Sequence, residues 1–171
     1  MEDATTAAYS GKIIPACTLV GSKWGTYLLE KSRVVGHDAT ERSYHIFYQL
    51  IAAPESAKAA FWGPLQNTDN GTFTYIGFTD TTVSEKESDG KKWQTTIDAL
   101  ALIGISGKQL TDVMRTSCTV LQLGNLTFDV DPQNDDGSIV SSKNELEKVS
   151  DLMGVPIEDT QKALTFDKDS P

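Results

Sequence analysis

The chain has 171 residues, 39% of them apolar, enough for one domain or one large subdomain with a real core. A formal net charge of −9, with no basic stripe beyond the pair Lys91-Lys92, excludes a general binder of nucleic acid or anionic membrane, whose phosphates would be repelled. Cys17 and Cys118 are far apart and lack any Cys-x-x-Cys or histidine cluster, so neither a disulfide framework nor a zinc site is expected; both read as buried thiols in a reducing cytosol.

The first 25 residues are rich in small side chains, and Pro15 and Gly21 break any period. Met1-Glu2-Asp3-Ala4 lacks a basic region followed by an apolar run, so no secretory signal is expected, and no apolar run approaches membrane-spanning length. Without secretion, the acceptor patterns Asn70-Gly71-Thr72 and Asn125-Leu126-Thr127 read as chance matches. Residues 27–35 read as a strand: Tyr27, Leu29, Val34 and Val35 supply β-favouring bulk and Gly36 ends the run. Leu28-Leu29-Glu30-Lys31 alone also fits a helix. Asp38 or Thr40 is the candidate cap of the next element, whose Tyr44, Phe47, Tyr48 and Ile51 fall at helical spacing until Pro54. Residues 55–61 suggest a second short helix, and 73–76 a short strand after the Asn70-Gly71 turn signal.

Residues 77–92, with Asp80, Glu85, Glu87, Ser88, Asp89 and Gly90, are polar and read as a solvated loop. Trp93, Ile97, Leu100, Ala101 and Ile103 mark one face of a helix closed by Gly104. Leu110, Val113, Met114, Ser117, Val120 and Leu121 mark a second, closed by Gly124, and the short turn between them makes the two neighbours. Residues 126–130 alternate as a strand, with 138–140 a candidate partner across the turn at 131–137. Ser142 with Glu145 three residues on forms a capping-box pattern opening a helix through Leu146, Val149 and Leu152 to Gly154. A last helix starts near Pro156 and reaches Leu164.

This order gives a mainly α fold with a few short β-strands, an α+β segment, and fixes no chemistry by itself. His45, four residues after Glu41, fits a local pair on a helix better than an acid/base couple, and His37 beside Asp38 at a turn has no third partner in view. Glu30 and Arg33 read as structural bridges, and Trp24, Trp62 and Trp93 as core or interface anchors. No catalytic, cofactor-binding or metal-ligating residue is assigned.

Two runs carry a family resemblance. Thr26-Tyr27-Leu28-Leu29-Glu30-Lys31-Ser32-Arg33-Val34-Val35, followed by Glu41-Arg42-Ser43-Tyr44-His45-Ile46-Phe47-Tyr48-Gln49-Leu50, resembles a signature of the myosin motor domain. Gly11-Lys12-Ile13-Ile14 is similar to the turn and strand entry before that signature, Phe73-Thr74-Tyr75-Ile76 to the segment before an acidic loop, and residues 93–104 to a helix ending in Ile-Gly. Residues 120–128 resemble the family's Leu-His-Leu-Gly-Asn-Ile-x-Phe run, with Gln122 where histidine is usual, and 146–166 the segment leading toward an actin-binding loop.

The resemblance implies a part of a larger P-loop NTPase-type α/β head: the upper actin-side subdomain just after switch I, with residues 27–35 a strand of the central sheet. It divides the chain into a poorly defined segment 1–25, a partial motor domain 26–166 and an end 167–171. It implies ATP and magnesium for the complete motor, the remainder of the head and the actin filament as partners, and a cytoplasmic, cytoskeletal location.

The departures matter as much. A phosphate-cradling loop needs Gly-x-x-x-x-Gly-Lys-[Ser/Thr], but Gly11-Lys12, Gly90-Lys91 and Gly107-Lys108 are followed by Ile13, Lys92 and Gln109, and none has the upstream glycine. The family's Asn-Asn-Ser-Ser-Arg and Asp-x-x-Gly-Phe-Glu switches are also missing. Residues 17–25 exceed the usual family connection by about six, an addition that a surface loop tolerates at small entropic cost. The favoured reading is a piece of an ATP-driven actin motor that has no ATPase activity alone. The alternative is a free-standing myosin-like interaction protein without ATPase activity.

Overall fold

The computed structural model describes residues 8–9, 12–13, 20, 23, 25, 28, 30–79, 82–132 and 134–165. Near the start, β1 (Ala8–Tyr9) pairs antiparallel with β2 (Lys12–Ile13). Cys17, Trp24 and most of the expected extra segment at 17–25 lie outside the described residues.

Residues 32–35 do not form a strand. Ser32–Val35 is one helical turn, α1, entered by a turn at Lys31, while Tyr27 and Leu29 lie outside the described residues. The reason is pairing: no described strand offers 32–35 a hydrogen-bonding edge, whereas the i,i+3 pair Glu30–Arg33, at 2.8 Å, suits a helical turn.

α2 (His45–Ile51) follows, buried along Phe47, Tyr48, Leu50 and Ile51. Neither expected cap serves it. Tyr44 is its N-cap, and Asp38 instead accepts from the backbone N–H and hydroxyl of Thr40, a local turn that competes with capping. α3 (Glu55–Phe61) starts after Pro54 as expected. Residues 70–72 and 74–77 are helical, with only Phe73 extended between them: a 3₁₀ turn at Asn70–Thr72, closed by an Asp69/Thr72 capping box, leads into α4 (Thr74–Gly77). Asp69 fixes the 3₁₀ turn, and Asn125 Oδ1, which accepts from the Thr74 N–H at 2.9 Å, favours a helical turn over the β-favouring character of Phe73, Tyr75 and Ile76.

The largest departure is α5 (Val83–Leu102), which takes in most of the expected polar loop. Thr82 accepts from the N–H of Glu85, whose carboxylate accepts in return from the Thr82 N–H at 2.8 Å. Glu and Lys are good helix formers, so a polar stretch with a capped start extends the amphipathic helix backward by three turns.

α6 (Gly107–Leu123) is the centre of the molecule and packs on α2, α3, α4 and on α7 (Lys143–Met153). Its Met114, Cys118 and Leu121 are fully buried and join Tyr48, Leu50, Leu65, Phe73 and Ile76 in the main core. β3 (Phe128–Asp131) and β4 (Asn134–Val140) form the expected antiparallel hairpin, with Phe128 opposite Val140. α7 ends in left-handed Gly154, φ +66°, as its glycine predicts, and α8 (Ile157–Thr165) packs against α7 and β4. Ser142 is the N-cap of α7, but without a side-chain capping bond. The described residues are thus mainly helical with two short antiparallel sheets.

Candidate functional site

The most concentrated buried polar chemistry sits where the turn before α2 meets α5. Arg42, carried by the Glu41-Arg42-Ser43 run, reaches Asp89 on α5 with two hydrogen bonds, 3.3 Å from Nη1 and 2.6 Å from Nη2. The pair is largely sequestered, with side-chain exposures of 17% and 6%. The guanidinium also lies 3.9 Å over the centre of the Tyr48 ring, a cation–π contact in a desolvated setting. The fork geometry of arginine suits both contacts at once.

Tyr48 extends the network. Its hydroxyl accepts from the Ser43 N–H at 3.1 Å and shares a 2.9 Å hydrogen bond with Thr79 Oγ1. Thr79 in turn meets His37 Nε2 at 3.0 Å, and the His37 ring packs 4.5 Å from Phe78. On the other flank, Arg33 bonds Glu30, Glu41 and the Arg42 carbonyl. Hydrogen bonding and charge from Glu30 and Glu41 hold the Arg33 guanidinium pKa above its ordinary value, and the Arg33 hydrogen bond holds Glu30 below the usual range.

The residues weighed from sequence therefore find structural roles. Glu41 pairs with Arg33 and not with His45, His37 is tied to Thr79, and Glu30 and Arg33 bond each other. Trp62 and Trp93 are buried anchors, Trp93 edge-on to Phe61 at 6.0 Å. Cys118 is buried, and desolvation pushes its thiol up to about 12, which makes it a poor nucleophile. Asp89 and Thr79 were not singled out, because a partner 47 or 31 residues away leaves no local pattern.

Beside the Arg42–Asp89 pair lies a cavity of about 180 Å³, bounded by Tyr48, Thr68, Asp69 and Lys86 among others. It is smaller than the roughly 300–1,000 Å³ of a typical organic-ligand pocket. Neither of the two Gly-Lys pairs among the described residues builds a phosphate cradle. Gly90 lies inside α5, where its amide belongs to the helix ladder, and Lys108 is turned out to solvent and paired with Asp112 at 2.7 Å. Among the described residues no group of three His, Cys, Asp or Glu side chains converges to hold a metal ion. The described residues thus offer neither a phosphate cradle nor a metal-ligand set that fits ATP with magnesium.

The Gly124-Asn125 pair has a geometric meaning. Gly124 has an ordinary helical φ of −66°, so its glycine is not needed for a left-handed cap. A Cβ there would lie 2.7 Å from Tyr75 Cγ, so the missing side chain makes room for the tyrosine ring. Asn125 Oδ1 accepts from the Thr74 N–H and hydroxyl at 2.9 and 3.0 Å, and its amide donates to the Thr72 carbonyl at 2.9 Å. The pair docks α4 on the end of α6. Gln122, in place of the usual histidine, is buried and donates to Glu145 on α7.

Comparison with known proteins agrees with the resemblance. The family described as the myosin head (motor domain) matches residues 14–170. Myosin-1 of Coprinopsis cinerea is 35% identical over 147 residues, which is 85% of this chain and 11% of that protein. Myosin-1 of Schizosaccharomyces pombe is 34% identical over 148 residues, 86% of this chain and 12% of that protein. Myosin-K heavy chain of Dictyostelium discoideum is 32% identical over 135 residues, 79% of this chain and 15% of that protein. The chain thus spans a small part of the length of the relatives it matches, while nearly all of it lies inside the matched region. It belongs to the myosin head (motor domain) family.

Proposed function

We propose that this chain works as the upper actin-side subdomain of a myosin head, within an actin-based cytoskeletal motor whose ATP hydrolysis is performed by residues other than these 171. The family match over 14–170 carries this reading, because it runs through almost the whole chain and corresponds to a small share of each relative. The partners on this reading are the rest of the head and the actin filament, the nucleotide is ATP with magnesium bound elsewhere in the head, and the place is the cytoskeleton in the cytoplasm. No helix among the described residues is long and apolar enough to cross a membrane.

A segment of a motor must transmit displacement as a block, and interdigitated helices move as units. The Arg42–Asp89–Tyr48 node supports that role: it locks the turn before α2 to α5 through a buried charge pair and a stacked ring. Both terminal nitrogens of Arg42 are bonded to Asp89 and its guanidinium is stacked on Tyr48, while Arg42 Nε is buried without a partner; the node serves as a strut.

The first test is the size of the native polypeptide, detected on a denaturing gel of source-cell extract with an antibody raised against residues 77–92. A band several times larger than 18.6 kDa is expected. A band at 18.6 kDa would overturn the reading in favour of a short interaction protein. Calorimetry on the purified chain should show no micromolar ATP binding, and such binding would overturn the separation of this segment from the nucleotide site.

A further inference from the structure

The packing divides at the end of α6. Of the described residues after Gly124, Leu152 alone belongs to the main core; Val140, Leu146 and Val149 are buried apart from it, in the small layer made by the β3–β4 hairpin, α7 and α8. The chain crosses between the two parts once, at 124–127. Asn125 is bonded to Thr72 and Thr74 in the first part, whereas Thr127 is clasped to Ser141 and Ser142 in the second. Leu126 is the link between two anchored neighbours.

α7 packs along α6 with Leu152 in the main core, and a set of polar bonds adds to that contact. Arg115 on α6 donates to the carbonyls of Asp151 and Leu152 at the end of α7, at 2.8 and 3.2 Å, and to the Phe61 carbonyl at the end of α3, at 3.1 Å. A cation shared by two helix C-termini is favourable but replaceable, since water can satisfy the same carbonyls. Trp62 Nε1 donates to the Asp151 carboxylate at 3.1 Å, and Gln122 donates to Glu145. An open groove of about 280 Å³ already separates α6 from the end of α7 beside Arg115. Ser150 Oγ on α7 is buried without a partner, so the closed arrangement leaves polar capacity unmet.

We propose that the β3–β4 hairpin, α7 and α8 form a flap that opens from the helical core as one unit, pivoting at Leu126 and latched by Arg115 with the Trp62–Asp151 bond. Segments joined by few apolar contacts and by replaceable polar ones open below the global unfolding free energy. Arg115 and Gln122 both reach α7 from two turns apart on one face of α6. This inference stands independently of the motor assignment, because it concerns two packed layers within the chain itself.

The test is native-state hydrogen exchange on the full chain at low urea. Amides in 128–165 should share one opening rate, at least about tenfold above those of α2 and α6. Arg115→Met should raise exchange in 128–165 by about a further tenfold, the loss of one net hydrogen bond from a charged donor, and leave α2 unchanged. Equal exchange in both parts, or equal acceleration of both by the substitution, would overturn the proposal. If Arg115→Met does not fold, Asp151→Ala removes only the bond to Trp62 from an exposed helix end, and should speed the flap alone.

Discussion

Replacing Gly124 by alanine should destabilise the chain, whereas the same replacement at Gly90 should stabilise it. Both glycines have right-handed helical backbones, Gly90 inside α5 and Gly124 with φ −66° and ψ −18°. The backbone term alone therefore favours alanine by roughly 0.5–1 kcal/mol at each position. At Gly90 the new methyl would lie 3.7 Å from the Ala52 carbonyl oxygen, an ordinary contact. At Gly124 it would lie 2.7 Å from Tyr75 Cγ and 2.8 Å from Cδ1 and Cδ2, about 1 Å inside a comfortable carbon–carbon separation. Turning the ring about its own axis does not move Cγ, and the backbone beside Tyr75 is tied through Thr74 to Asn125, the neighbour of Gly124. Overpacking of this kind costs about 1–3 kcal/mol, so that after the backbone gain the net loss is centred on about 1 kcal/mol. Urea unfolding followed by tryptophan fluorescence reads the change, because Trp62 and Trp93 are buried. The midpoint should fall for Gly124→Ala and rise for Gly90→Ala, with unchanged slopes. In a Tyr75→Ala background the Gly124 substitution should become neutral or stabilising. A Gly124→Ala protein as stable as its parent, with Tyr75 in place, would refute the account of that motif.

Asp89→Ala should cost about 3 kcal/mol in urea unfolding, because it leaves the Arg42 guanidinium desolvated over Tyr48, whereas Asp112→Ala at the exposed Lys108 pair should cost less than about 0.5 kcal/mol. Thr82→Ala should cost about 1 kcal/mol and speed amide exchange in the first turns of α5, while leaving α6 unchanged. Burial raises the Glu145 carboxyl pKa, but hydrogen bonds from Lys148 and Gln122 outweigh it and hold the group below 4.5. A depressed folded pKa gives stability that is full above the unfolded value and lost as pH falls through the folded one. Urea midpoints should therefore drop below about pH 4.5, and Lys148→Met should flatten that drop.

The family and most helices were legible because their signals are local or contiguous. Trp93, Ile97 and Leu100 of α5, the apolar stripe of α6 and the glycine after α7 each declare themselves within a few residues. Residues 32–35 were not legible in this way, because β-favouring side chains give a strand only when a neighbouring edge satisfies the backbone, and a strand-like sequence contains no statement about its neighbour. The Arg42 node was equally hidden. Its members come from residue 37 to residue 89, and Asp89 looked like one more charge in a polar stretch until α5 wound it onto the inner face.

Two four-residue patterns show where local reading reaches its limit. Thr82-x-x-Glu85 and Ser142-x-x-Glu145 are both capping boxes on paper. The first forms in full, and its cap residue Thr82 is exposed. In the second, the Ser142 hydroxyl accepts from the Thr127 N–H at 2.9 Å, and the Glu145 carboxylate is taken by Gln122 and Lys148. The helix forms regardless, because Leu146, Val149 and Leu152 bury its inner face. A capping side chain obeys its local pattern where nothing else competes for it, and gives that pattern up where the fold brings a better partner. The diverted pair closes the hairpin base and joins α7 to α6, so what the helix start loses as a cap it regains as tertiary contact. Substituting Ser142 by alanine should therefore loosen the Thr127 end of the hairpin in amide exchange more than it frays α7, and preferential fraying of α7 would refute that assignment.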